Sequence, residues 1–349
     1  MNTCIKIFLR SRQSIQCVTL FVLLALASVS LLQLVIEPEN TNTRIKTFPY
    51  QASNVRVNER AATTALADAP VRPRASSIRK QENIGVNATC EKRLSDAIII
   101  GVEKSGTSAL LLFLDHHPEI RAVRSPEESH FFTRFYARGF EWYRSIMPCS
   151  FPGEWVIEKT PGYIYFPEAA QRIQKYKSDV KLVVIMKDPV ERLLSAFAMY
   201  VAQGKMKVDD LESAVFINGN DVSTDHRMVN RSLYVEHLKP WFEFFKRDDI
   251  LFLDGNNFKS NPYEELHKVE TFLGLRNFYQ QNDFRSDDRN RMCIRRRPAE
   301  GVQCLPPYKG RSHPPVPPDV RTRLQQFFAP RNKQLFEMIG ETFTWQYSD

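Results

Sequence analysis

The sequence predicts an α/β domain in which a P-loop-like parallel sheet is flanked by helices. Short runs that are apolar throughout alternate with helical patterns, as in sheets that are covered on both faces. A glycine-containing loop follows the first apolar run and precedes a helical pattern, which is typical of anion-binding α/β folds. The chain has 349 residues and is 43% hydrophobic, so it is large enough to bury a substantial core.

Four strands and three helices carry this prediction. Each strand is an apolar run, and each helix follows one of them with apolar residues at helical spacing. The predicted strands are 97–100, 155–157, 181–186 and 250–253, and the predicted helices are 107–116, 189–203 and 262–273.

The chain divides into a predicted cytosolic tail (1–17), a transmembrane signal-anchor helix (18–36), a lumenal stem (37–95) and a folded domain (96–349). The uncharged residues 18–36 would span about 28 Å as a helix, close to the roughly 30 Å of a bilayer core. Lys6, Arg10 and Arg12 precede this helix and predict a cytosolic N-terminus. A cleaved signal peptide is the alternative.

Two features fit a lumenal location and an anionic ligand. Asn87 and Asn230 begin N-x-S/T sequons, which are glycosylation acceptors in secreted proteins. The stretch from Arg285 to Arg311 holds eight basic and three acidic residues, and this excess of positive charge favours an acidic ligand or polymer.

The loop from Gly101 to Ser108 has the glycine spacing of an ATP-binding loop, but Thr107 stands where the lysine belongs. The lysine is Lys104, inside the loop. Asp188 follows a strand, but Pro189 after it indicates a turn residue rather than a magnesium ligand. The loop therefore suits a nucleotide with a single 5′ phosphate that carries another leaving group. A kinase and a turn without any ligand are the alternatives.

The stretch SPEESHFF offers a candidate general base, Glu128, two residues before His130. In an extended segment these two side chains would point to the same side. A carboxylate beside an anionic donor would have a raised pKa, which suits a base. The alternative is a solvated pair of Glu127 and Glu128 with a histidine in the core.

Several motifs in order resemble one family. They are the loop I-I-I-G-V-x-K-x-G-T-x-A-L-L, His130-Phe131-Phe132, Trp142-Tyr143, Glu158-Lys159-Thr160-Pro161, Asp188-Pro189 and Lys309-Gly310-Arg311 with His313-Pro314. Over residues 97–345 the chain resembles the heparan sulfate glucosamine 3-O-sulfotransferases, Golgi enzymes that use 3′-phosphoadenylyl sulfate (PAPS) as sulfonate donor. The resemblance implies sulfonate transfer by in-line displacement with Glu128 as base, and no metal.

The resemblance also implies roles for individual residues. Lys104, Glu128, His130 and Lys159 would be catalytic, and Thr160, Pro161 and Gly162 would join Glu128, His130 and Lys159 in binding the acceptor. Cys293 and Cys304 would form a disulfide, whereas the pairing of Cys90 and Cys149 is left open. Donor binding would use Lys104, Ser105, Gly106, Thr107, Ser108, Lys187, Ser195, Tyr308, Lys309, Gly310, Arg311, Ser312 and His313.

The chain departs from the family pattern on the acceptor side. Ser108 replaces an arginine, Thr133 an aspartate and Met199 a glutamine, and Lys187 replaces an arginine that would bind the 3′ phosphate. A hypothesis is that basic residues supply the lost acceptor contacts; they are Arg289, Arg291, Arg295, Arg296 and Arg297. Transfer to another position, such as the glucosamine nitrogen, and a non-catalytic glycan-binding protein are the alternatives.

Overall fold

A five-stranded parallel sheet forms the centre of the computed structural model, which describes residues 89–288, 291–296, 301–345 and 347. All its neighbouring strands run in the same direction. The order across the sheet is β3 (Ile120–Ala122), β5 (Trp155–Lys159), β2 (Ala97–Gly101), β6 (Lys181–Met186) and β9 (Ile250–Asp254).

The predicted strands agree closely with the structure. The strand 181–186 has the predicted bounds, and the other three extend one or two residues further at their carboxyl ends. The edge strand β3 was missed because it has only three residues and carries Arg121 at its centre. The α/β class with a parallel sheet is therefore confirmed.

The predicted helices follow strands β2, β6 and β9, and they run over Thr107–Leu114, Pro189–Ala202 and Pro262–Leu273. Asp188, predicted as a turn residue, accepts hydrogen bonds from the backbone N–H groups of Val190 and Glu191 and so caps the helix that begins at Pro189. The α-helices are α1 (Thr107–Leu114), α2 (Gly139–Ser145), α3 (Pro167–Tyr176), α4 (Pro189–Ala202), α5 (Leu211–Val215), α6 (Arg227–Asn230), α7 (Tyr234–Phe242), α8 (Gly255–Ser260), α9 (Pro262–Leu273) and α10 (Pro318–Ile339).

Both faces of the sheet are covered. Successive residues of β2 point to opposite faces, so Ile98 and Ile100 lie in one apolar cluster and Ala97 and Ile99 lie in another. All four side chains are fully buried. This burial explains why the strands are apolar throughout rather than alternating.

Among the described residues, three small antiparallel sheets accompany the central one. The structure contains the implied Cys293–Cys304 disulfide and also joins Cys90 to Cys149, the pairing that the sequence left open. The small sheets pair β1 (Glu91–Lys92) with β4 (Cys149–Ser150), β7 (Phe216–Ile217) with β8 (Asp221–Val222), and β11 (Met292–Arg295) with both β10 (Phe284–Ser286) and β12 (Val302–Gln303).

The predicted tail and transmembrane helix, and the stem up to residue 88 with Asn87, lie outside the described residues. Within the part of the chain that the structure describes, no helix has the length and apolar character needed to cross a bilayer. The segment 18–36 therefore stays a prediction.

Candidate active site

The loop between β2 and α1 lies at the carboxyl end of the central strands. Lys104 has a left-handed backbone with φ of 74°, which is uncommon for a residue other than glycine and occurs preferentially at functional sites. Gly106, with φ of 109°, directly precedes α1 and has no side chain to cap its first N–H groups. The buried Ser105 hydroxyl makes no hydrogen bond within the described residues. These features fit a loop that holds an anionic group.

Gly255, the first residue of α8, packs against the backbone of this loop. A Cβ atom at this position would lie 2.6 Å from the Ser105 carbonyl oxygen and 2.7 Å from that of Met186. Only glycine allows such an approach of two backbone segments. Sequence reasoning missed Gly255, although the Asp-Gly step after the strand at 250–253 was an available signal.

Lys104 lies in a strongly basic part of the site. Burial and the nearby charges of Lys309 and Arg311 lower the pKa of Lys104 to about 8. These cations come from two separate loops and repel one another. A bound anion would relieve that repulsion, so the arrangement suits a negatively charged ligand.

Among the other predicted donor residues, Ser195 lies on the helix that contacts this loop. Ser195 lies one helical turn before Met199 on α4, and the Met199 sulfur is 3.7 Å from Lys104 Nζ, so Ser195 shares the helix face that meets the loop. Burial and the charge of Lys259 lower the pKa of Lys187. Tyr308 is exposed.

Gly310, Arg311 and Ser312 are also exposed. His313 Nδ1 lies 3.5 Å from a carboxylate oxygen of Glu191 in the first turn of α4. This contact anchors the end of the 308–313 segment beside the helix that carries Ser195.

Three segments converge on Glu127. Its Oε1 accepts hydrogen bonds from Ser108 Oγ at 2.7 Å, from Lys159 Nζ at 3.0 Å and from Lys309 Nζ at 3.3 Å. Burial opposes the charge of Glu127, but the Ser108 hydrogen bond and the charge of Lys159 outweigh it and lower its pKa to about 2. Glu127 is exposed, as the alternative of a solvated glutamate pair expects, but it is also ion-paired with Lys159 and Lys309.

Glu128 has a different environment. Its Oε1 lies 3.0 Å from Lys159 Nζ and its Oε2 lies 3.4 Å from His130 Nε2. The expected contact of Glu128 and His130 is present, but the segment is not extended, because His130 has a left-handed φ of 48°. Burial lowers the pKa of His130, although the charge of Glu128 acts in the opposite direction.

Comparison with known proteins identifies the family. Residues 94–288 match the model of the sulfotransferase domain. Heparan sulfate glucosamine 3-O-sulfotransferase 6 of Mus musculus is 36% identical over 290 residues, which are 82% of this chain and 84% of that protein. This chain belongs to the sulfotransferase family. The predicted enzyme class is thereby confirmed, and the kinase alternative is set aside.

A second relative and a solved structure are also similar to this sulfotransferase. Heparan sulfate glucosamine 3-O-sulfotransferase 3B1 of Mus musculus is 37% identical over 258 residues, 73% of this chain, and the match spans 65% of that relative's length. A crystal structure of a sulfotransferase from Alicyclobacillus acidocaldarius superposes with a TM-score of 0.54 at 21% identity, covering 72% of this chain and 98% of the other. That likeness supports the sulfotransferase fold.

Three of the residues in which this sulfotransferase departs from the family pattern contact residues of the candidate site. Ser108 donates to Glu127, Met199 meets Lys104, and the Thr133 hydroxyl donates to the His130 carbonyl oxygen at 3.2 Å. These three departures therefore lie beside the site residues Glu127, Lys104 and His130.

The residues Thr160, Pro161 and Gly162, which the resemblance assigns to acceptor binding, are buried. The Thr160 hydroxyl donates to Glu158 Oε2 at 3.0 Å. Any contact of these three residues with an acceptor stays a prediction.

Of the basic residues proposed for acceptor contacts, Arg291 is committed elsewhere. It binds Asp287 Oδ2 and the carbonyl oxygens of Leu305 and Pro306, and it holds the chain that leads to Lys309. Any contact of Arg291 with an acceptor stays a prediction. Arg295 and Arg296 are exposed. Arg289 and Arg297 lie outside the described residues.

Proposed function

We propose that this sulfotransferase transfers a sulfonate group from PAPS to a glucosamine of heparan sulfate, at the 3-hydroxyl. The observation that carries the proposal is the convergence of Lys104, Lys159 and Lys309 with the Glu128–His130 pair at one loop. Cations for an anionic donor and a base for an acceptor hydroxyl thus share one site. Heparan sulfate is proposed as the acceptor because the relatives are named heparan sulfate glucosamine 3-O-sulfotransferases.

The chemistry of the loop fits the donor. When bound, PAPS would supply an activated sulfonate whose leaving group is a nucleotide phosphate. Lys104, the first N–H groups of α1 and the 308–313 segment would hold the phosphate and sulfonate, and Lys187 with Ser195 would hold the 3′ phosphate. A lysine at 187 keeps the charge but lacks the bidentate geometry of arginine.

Glu128 is the better placed of the two neighbouring carboxylates to act as the base. Glu127 is bound by three donors, and a carboxylate with a pKa of about 2 is a poor proton acceptor at neutral pH. Glu128 faces His130, and Lys159, whose side chain is fully buried, bridges the two carboxylates. In the proposed reaction Glu128 takes the proton of the acceptor hydroxyl while the cations stabilise charge on the leaving phosphate.

The proposal includes a location. The uncharged residues 18–36 would anchor the protein in the Golgi membrane with the sulfotransferase domain in the lumen. Asn230 is exposed at the end of α6, where a glycan could be attached. Endoglycosidase treatment of the full-length secretory protein should reduce its apparent mass, and N230Q should reduce the shift.

The deciding experiment incubates the domain from residue 85 with radiolabelled PAPS and heparan sulfate and maps the labelled disaccharides. Label is expected on the glucosamine 3-hydroxyl. E128Q should lower kcat by about 10²- to 10⁴-fold, the usual contribution of a general base, while E127Q should retain most turnover.

Label on the glucosamine nitrogen would assign the alternative reaction. Binding of PAP, the desulfonated donor product 3′-phosphoadenosine 5′-phosphate, without labelling of any glycan would favour a binding role. Equal losses of kcat in E127Q and E128Q would contradict the assignment of Glu128 as the base.

A further inference from the structure

A buried carboxylate, Glu158, lies beneath the segment that carries Glu128 and His130. Glu158 is 1% exposed and lies on β5, next to Lys159. Successive strand residues point to opposite sides, so β5 presents Lys159 to Glu128 and presents Glu158 to the buried side of the same segment.

Three hydroxyl groups donate hydrogen bonds to this carboxylate. Ser129 Oγ and Thr160 Oγ1 donate to Oε2 at 3.1 and 3.0 Å, and Tyr143 OH donates to Oε1 at 3.2 Å. Because Ser129 uses its only hydroxyl proton in this way, Tyr163 must donate in its 2.9 Å contact with Ser129 Oγ.

The same hydroxyls accept the backbone N–H groups of the active-site segment. Thr160 Oγ1 accepts from Ser129 and His130 at 3.1 and 3.3 Å. Ser129 Oγ accepts from Phe131 at 3.3 Å, and Tyr163 OH accepts from Phe132 at 3.2 Å. Four consecutive N–H groups therefore lead, through three hydroxyls, to one carboxylate.

We propose that Glu158 is the positioning residue of this active site, which fixes the donor–acceptor direction of the buried network and thereby the placement of Glu128 and His130. The left-handed backbone of His130 is unfavourable for a histidine and needs surrounding contacts to maintain it. The network supplies them on both sides of His130. This inference rests on the proposed function only in assigning catalysis to Glu128 and His130.

The buried setting of Glu158 opposes its negative charge. Burial raises the pKa of Glu158 to about 7, although hydrogen bonds from Thr160 and Ser129 lower it. A buried carboxylate with hydroxyl donors on both oxygens is costly to place in a core. A purely apolar core could not orient four backbone N–H groups in this way.

The test compares E158L, which removes the acceptor, with E158Q, which keeps one oxygen for Ser129 and Thr160. Peptide-level amide hydrogen exchange over 126–135 reports the segment, and kcat, KM and PAP affinity report the site. E158L should raise exchange at 129–132 and lower kcat by about 10²-fold, as expected for a misplaced catalytic group, with little change in PAP affinity. E158Q should show smaller changes of the same kind.

The matched control is E270Q. Glu270 lies on α9 and is also 1% exposed, but it accepts the N–H groups of Phe278 and Tyr279 rather than those of the active-site segment. E270Q should lower the melting temperature yet leave kcat and exchange at 129–132 unchanged. If E158L does not fold, T160V, which removes the shared acceptor of Ser129 and His130, replaces it.

Unchanged exchange at 129–132 in E158L and E158Q would overturn the proposal, and so would raised exchange with an unchanged kcat. If the wild-type domain transferred no sulfonate to heparan sulfate, the proposed function would fail. The exchange pattern would then still decide whether Glu158 holds the segment.

Discussion

At the scale of single residues, the protonation state of Lys104 should control how tightly the site binds an anion. Its pKa of about 8 results first from burial and then from Lys309 and Arg311. The lysine is therefore mainly protonated at neutral pH and loses its proton as the pH rises through 8. Because only the protonated form attracts an anion, ligand affinity is linked to this titration.

We expect the affinity for PAP to fall as the pH rises above 8, by at most about tenfold per pH unit, the limit for one coupled proton. Isothermal titration calorimetry between pH 7 and 9.5 measures this change. K104M should bind more weakly and show a flatter profile. The same pH dependence in both proteins would show that another group governs binding.

Glu127 makes contacts that its neighbours in the sequence do not predict. Two adjacent glutamates normally indicate a solvated surface. Here Ser108, Lys159 and Lys309 reach Glu127 from three parts of the chain, and none of these contacts is implied by local spacing. The sequence could therefore nominate Glu128 by its motif but could not assign a role to its neighbour.

At the scale of elements, β9 and α8 support the loop between β2 and α1, although the sequence gives them no ligand motif. The carbonyl oxygens of Ser105 and Met186 approach Gly255 so closely that a methyl group would collide with both. The strand at 250–253 was predictable from its apolar run. Its contact with the loop was not, because it depends on the order of strands in the sheet.

G255A should destabilise the protein by about 1–3 kcal/mol, the typical cost of overpacking, and should weaken PAP binding by displacing the loop. Urea denaturation and calorimetry measure the two effects. G274A is the control: its φ of 67° disfavours alanine, but nothing lies within 4 Å of the added Cβ, so PAP affinity should be retained. Wild-type binding and stability in G255A would contradict the close contact.

At the scale of the whole molecule, the C-terminal segment binds two helix caps that lie far away in sequence. Thr344 and Trp345 donate hydrogen bonds to Asp254, which caps α8. Tyr347 OH donates to Asp188 Oδ2 at 2.7 Å, and Asp188 caps α4. The C-terminal segment thus binds the residues that cap both α8 and α4.

W345A should lower the free energy of unfolding by about 3–5 kcal/mol, because it removes a buried aromatic side chain together with its hydrogen bond to Asp254. W345F keeps most of the apolar contact and should cost about 1 kcal/mol, the usual net value of one hydrogen bond. Urea denaturation measures both. Equal losses in the two variants would show that the hydrogen bond, rather than packing, dominates.

The sequence by itself determined the parallel sheet, the loop that joins β2 to α1 and the family, because these depend on local apolar runs and on motifs whose residues are close in the chain. Tertiary structure alone decided that Glu127 binds three cationic or hydroxyl partners, that Glu158 lies beneath the active-site segment, and that Gly255 supports the loop. Each of these contacts joins residues from different strands or loops. Their spacing in the sequence carries no signal, since only the folded sheet brings the ends of its strands together.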